Sequence, residues 1–210
     1  MRTKLFDNII NFGRSVGFNE RHALDVNKIA LTIFDQLQNV HRMGNTERLW
    51  LETAALLHDV GKPDNRGIHH KLARDVIADF SSLPFGKKER KIIGLIARYH
   101  RGGLPSREHK SFGNLDTESR HYIRKLASIL RIADGLVSGK SKIKKLACDV
   151  GKREIIFHLK CRKNISLNKA VKKANLFVHI FGRSVIFDMK ILPDYSKKSN
   201  THIESSLIAG

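Results

Sequence analysis

Long apolar runs are missing from this sequence: no stretch approaches the about 18 to 20 consecutive apolar residues that a membrane-spanning helix needs. The opening MRTKLFDNIINFG carries two early cations but neither a long apolar stretch nor a small-residue cleavage site. Cysteine is scarce. Cys148 and Cys161 form no CxxC pair, so reduced packing thiols are expected rather than a bridge or a redox pair. Aromatics make up only 7% of the chain and rarely interleave with its cations, which argues against sequence-specific RNA recognition. Acidic residues are few as well, 20 against 39 Lys plus Arg, giving a net charge of +19. These absences lead to the expectation of a soluble, cytoplasmic protein with no membrane partner and with anionic partners of some kind.

With 41% hydrophobic residues in 210, the chain can bury one good core or a core plus a small satellite. Residues 1–140 read as successive amphipathic helices, with apolar positions recurring three and four apart between Gly, Pro and Asn punctuation. An opening helix carries Leu5, Ile9, Ile10 and Phe12 and breaks around Gly13 and Gly17. Asn19 caps a second, predicted over Glu20 to Val40, and a third through Trp50 and Leu57 is expected to stop at Gly61. A fourth spans His69 to Phe80 and a fifth Lys87 to His100. The loop RGGLPSREHKSFGN then leads to Asp116, the cap of a long sixth helix ending near Val137.

Beyond Lys140 the pattern changes to β-favouring runs, IKKLACDV and REIIFHLKC, a helical stretch from Leu167 to Phe181, and a last run RSVIFDMKIL. The fold class expected is therefore mainly α, a helical bundle followed by a small α+β appendage at 141–192 and a loose tail at 193–210.

Three helices bring forward four residues of metal-ligand type: His22 early in one, the adjacent pair His58 and Asp59 at the end of another, and Asp134 near the end of a third. Imidazole with carboxylate suits a divalent ion and leaves positions for water and a phosphate oxygen. Neighbouring residues on a helix point about 100° apart, so His58 and Asp59 reach one ion only at a helix end. Each residue alone has a simpler reading. His22 could cap a helix, Asp59 could be exposed, and His100 could serve the dipole of the helix it ends. Asp134 follows Ile132 and Ala133 in an apolar helix, where an unpaired carboxylate would be costly.

Taken in order and with their flanks AALLHDVGK, HHKLARDVI, ARYHRGGLP and LASILRIADGL, these residues resemble the HD-domain metal-dependent phosphohydrolases. More narrowly, the chain is similar to the C-terminal HD region of the exopolyphosphatase and guanosine pentaphosphate phosphatase (Ppx/GppA) family, over nearly its whole length. That resemblance implies one or two divalent ions (Mn, Mg, Fe or Ni). His22, His58, Asp59 and Asp134 would hold the first, and His70, with His69 as its substitute, together with His100 would hold a second that Asp59 bridges. Leu72 stands where the family usually carries a further histidine, and reads as core. The resemblance also implies hydrolysis of a nucleotide or another phosphate ester or anhydride, with Asp59, Lys62 and Arg101 serving the reaction. The actin-like domains that carry the family's exopolyphosphatase chemistry find no room in 210 residues, so that activity does not follow.

Arg98, Arg107 and Arg131 also lie near this constellation in sequence and could grip phosphate or be solvated cations. The alternative function is a non-catalytic accessory module that binds polyphosphate or nucleic acid through the appendage, where Lys172, Lys173 and Arg162 belong to a dense cationic cluster. A homodimer would need an exposed apolar patch, which one sequence does not show.

Overall fold

The computed structural model describes residues 2–60, 69–137 and 143–193, apart from the side chains of residues 2, 3 and 69–72. Its elements are α1 (Arg2–Ser15), α2 (Glu20–Gln36), α3 (Gln38–His41), α4 (Asn45–Leu57), α5 (His69–Asp79), α6 (Lys87–Arg98), α7 (Lys110–Gly113) and α8 (Thr117–Leu136), then β1 (Ile143–Val150), β2 (Glu154–Cys161), α9 (Asn168–Lys173), α10 (Asn175–Phe181) and β3 (Ser184–Ile191). The mainly α architecture with a small α+β end is the one the sequence predicts. No helix among the described residues is long and apolar enough to cross a membrane. Cys148 and Cys161 are free thiols.

Helices α2, α4, α6 and α8 pack on one another, with α1 and α5 laid outside them. Their shared interior holds Val26, Ile33, Leu51, Ile93, Leu126 and Ile129, all fully or nearly fully buried. Capping follows the predicted residues. Asn19 accepts from the backbone N–H of His22 at 3.1 Å, and Asp116 accepts from both the N–H and the hydroxyl of Ser119 at 2.8 Å. The first of these fixes His22 in the opening turn of α2.

Four element boundaries differ from expectation. The second helix breaks at Leu37, where His41 turns back to donate to the carbonyl of Phe34 and Arg42 takes a left-handed conformation, so α3 is a separate turn. The third ends at Leu57 rather than Gly61, which lies outside the described residues. The loop before Asp116 contains the single turn α7. The stretch 167–181 divides at Ala174 into α9 and α10.

In the appendage, β1 and β2 form an antiparallel hairpin, and β3 returns parallel to β2 after α9 and α10. Phe157, Leu159 and Phe177 lie between sheet and helices and join the same buried cluster as α8. The approach of α9 to α8 requires Gly135: a Cβ there would stand 2.6 Å from the Cα of Ala170. That contact sets the C-terminal end of α9 over the C-terminal turn of α8, where Asp134 lies.

Candidate metal centre

Two helix ends in this bundle are finished by the same device. His58 follows the last turn of α4 and donates Nδ1–H to the carbonyl of Ala55 at 2.7 Å; His100 follows α6 and donates Nδ1–H to the carbonyl of Ala97. A carbonyl only accepts, so Nδ1 carries the proton in both rings, and Nε2 presents a lone pair while each imidazole is neutral. Burial pushes His58 below its ordinary value. His100 falls to about 3, from burial first and then the neighbouring charge of His58. Both Nε2 atoms are buried and lack a hydrogen-bond partner. The rings meet edge to face with centroids 4.7 Å apart.

Around those two nitrogens stand two carboxylates. Asp134 Oδ1 lies 3.2 Å from Nε2 of His22 and 3.8 Å from Nε2 of His58. Asp59 spans the gap between the buried rings, with Oδ2 3.8 Å from His58 Nε2 and Oδ1 3.6 Å from His100 Nε2. The trios His22, His58, Asp134 and His58, Asp59, His100 each bring their ligand atoms within 4.8 Å of one another. Burial alone would raise the pKa of Asp134, but the hydrogen bond from His22 and the ammonium of Lys173 outweigh it and hold the carboxyl far below the usual carboxylate range.

The cluster fits a divalent cation. Its donors are imidazole nitrogen and carboxylate oxygen, its two deepest nitrogens point lone pairs at nothing else, and the other nitrogen of each ring is oriented by a backbone carbonyl, as metal-ligating histidines are. Such orphaned acceptors would be a needless cost in a site built only for packing.

The remaining residues sort differently from their sequence positions. Arg101 is half exposed at the rim, with a guanidinium nitrogen 3.7 Å from Asp59 Oδ1. Lys62 lies outside the described residues. So do the side chains of His69 and His70, which open α5. Arg98 lies over the ring of Tyr99 instead of reaching the cluster, and Arg107 is exposed. Arg131 neither grips phosphate nor faces solvent. It is buried and donates to the carbonyls of Tyr99 at 3.1 Å, Gly102 and Lys173 and to the side chain of Asn175, which ties α8, the loop after α6 and the appendage together.

Sequence reasoning placed Lys173 on a solvent-facing cationic surface. Its ammonium instead turns inward from the end of α9 and pairs with Asp134 Oδ2, and burial pushes its pKa down. No motif announces this residue; only the packing of α9 on Gly135 brings it there.

A helical bundle whose helix ends converge two carboxylates and three histidines on one buried point belongs to the HD class of fold. Residues 8–178 match the family model described as Ppx/GppA phosphatase, domain III, and the chain belongs to that family. No curated protein is similar enough to the chain to count as a match.

Proposed function

We propose that this chain is a metal-dependent phosphohydrolase acting on a nucleotide or another phosphate ester or anhydride. The observation that carries the reading is the pair of buried, partnerless Nε2 atoms of His58 and His100, set among His22, Asp59 and Asp134. His58 Nε2 belongs to both trios and can give its lone pair only once, so the described residues favour one ion over two. A bound divalent cation of the Mn, Mg, Fe or Ni kind would supply Lewis acidity, lowering the pKa of a water and polarising a phosphoryl oxygen.

The chain's own groups do the rest. Backbone carbonyls of Ala55 and Ala97 hold the two imidazoles in the tautomer that ligates. Asp59, which meets Arg101 at the rim, would accept a proton from the attacking water. Arg101 lies at the mouth and can take up charge on phosphate as it develops. Lys173 keeps Asp134 ionised from the side opposite His22. Lys62 remains a proposed phosphate contact on the strength of its place after HDVG.

The test is turnover of a panel of nucleotides and simple phosphate esters by protein reconstituted with Mn²⁺ or Mg²⁺. Wild-type hydrolysis that disappears in Asp59→Ala and His58→Ala, with helical content unchanged, is the expected result. Equal activity in all three proteins contradicts it.

A further inference from the structure

The register of the appendage sheet places three lysines in a line. Lys145 pairs with Lys160 across the hairpin, and Lys160 pairs with Lys190 on β3, so one row across all three strands is lysine. Cross-strand partners point to the same face, and strands lie about 4.8 Å apart, which starts all three side chains within about 10 Å. All three are exposed and none has an ion-pair partner among the described residues. Like charges placed directly opposite destabilise a sheet. The row is therefore a cost that the fold carries.

Two carboxylates on the same face could have offset that cost and do not. Asp149 and Asp188 are both taken by His158, which lies between them in the next row and bonds Asp188 through Nδ1 at 2.8 Å and Asp149 through Nε2 at 2.9 Å. The carboxylates hold the His158 pKa above its ordinary value, so both are engaged by this ring rather than by the lysines. Beyond His158 comes a row in which Asp149 on β1 is followed by an aliphatic pair, the half-buried Ile156 beside Ile186, the latter 42% exposed. The aromatic rings of the sheet, Phe157 and Phe187, stack on one another on the other face, 5.4 Å apart.

We propose that this outer sheet face binds duplex RNA along its shallow minor groove, with Lys145, Lys160 and Lys190 on the phosphates. Unpaired lysines in a row ask for an anionic polymer, and the Ile156–Ile186 pair two rows along gives a sugar edge something to lie on that bare polyphosphate lacks. The absence of outward aromatics removes the stacking platforms on which single strands are held. A three-stranded face is too broad for the major groove of B-DNA, which admits one helix or a two-stranded ribbon. The wide, shallow minor groove of an A-form duplex accepts a flat surface and presents 2′-hydroxyls to it. Asp149 and Asp188 each keep Oδ1 without a hydrogen bond among the described residues, an acceptor for such hydroxyls.

Fluorescence anisotropy of a labelled RNA duplex of about 16 base pairs, titrated with the full chain between about 50 and 200 mM salt, tests this. The triple variant Lys145→Gln, Lys160→Gln, Lys190→Gln is expected to bind at least tenfold more weakly, with a salt slope shallower by about two to three. A control losing the same charge elsewhere, Lys28→Gln, Lys87→Gln, Lys91→Gln, is expected to change binding less than twofold. The row variant should also melt higher than wild type, since a cross-strand repulsion is gone, and that readout shows it folded. Equal losses in row variant and control, or no binding by wild type at the lowest salt, overturn the proposal. A DNA duplex of the same sequence that binds as tightly as the RNA overturns the groove assignment, and inorganic polyphosphate that binds the face while duplex RNA cannot displace it gives the surface to polyphosphate instead.

Discussion

His41 and His58 are buried to the same degree, each with 1% of its surface exposed, and burial pushes both pKa values down. They differ in what their nitrogens meet. His41, at the corner between α2 and α4, donates Nε2–H to Phe34 at 2.7 Å and accepts from the N–H of Met43 at 3.0 Å, so the ring is complete within the protein. His58, at the end of α4, spends Nδ1–H on Ala55 and leaves Nε2 without a partner. The opposite tautomers and the single orphan distinguish a histidine that holds a corner from one shaped for a ligand. Burial alone does not make that distinction; satisfaction of both nitrogens does.

The sharpest way to break the comparison is to remove the finished ring. His41→Ala strands the N–H of Met43, leaves the carbonyl of Phe34 only its bond from the N–H of Leu37 and opens a cavity, and is expected to cost about 2 to 4 kcal/mol in denaturant unfolding while leaving the metal content of the folded protein intact. A loss of metal in that variant would show that the corner and the site are not separable. Arg131→Met carries the same logic into the site's surroundings. Its buried guanidinium serves four acceptors, so removal is expected to cost about 2 kcal/mol and to loosen the appendage, read as earlier proteolysis of β1–β3 than of α2.

Lys173→Met probes the cation that stands at Asp134. Removing a positive charge beside a carboxylate ligand is expected to strengthen binding of Mn²⁺ by about tenfold, or about 1.4 kcal/mol, in titration calorimetry. Weaker binding would mean that the lysine orients Asp134 more than it opposes the ion. The smallest effect belongs to His158, the exposed counterpart whose nitrogens both meet carboxylates. Its folded-state pKa is raised above the ordinary 6.5, so its stabilisation is fully present below that value and fades as pH rises through the folded one. The melting-temperature gap between wild type and His158→Gln should therefore be wider at about pH 5.5 than at about pH 9. A gap that grows with pH would contradict the sign.

Much of this was legible in the sequence because it is local. Period, caps and punctuation give the helices, and Asn19 and Asp116 cap the helices they were expected to cap. His22, His58, Asp59 and Asp134 announce themselves by residue type and by their places at helix ends. The Ala-x-x-His spacing at Ala55 and Ala97, which fixes both tautomers, was present in the text but has no meaning until the two helix ends face each other. Arg131 and Lys173 were misplaced for a single reason. In sequence they are cations near a candidate site or in a basic run, and only the close approach of α9 at Gly135 decides that one becomes a clamp and the other a partner of Asp134. The lysine row was equally hidden, since Lys145, Lys160 and Lys190 become neighbours only through strand register.

The central claim is that the orphaned nitrogen of His58 is a metal ligand. Elemental analysis of protein purified without chelator and then equilibrated with Mn²⁺, beside His58→Ala and His41→Ala, tests it most directly. About one equivalent per chain in wild type and His41→Ala, with none in His58→Ala, is the predicted result. Equal metal in all three proteins, or none in the wild type, would contradict it.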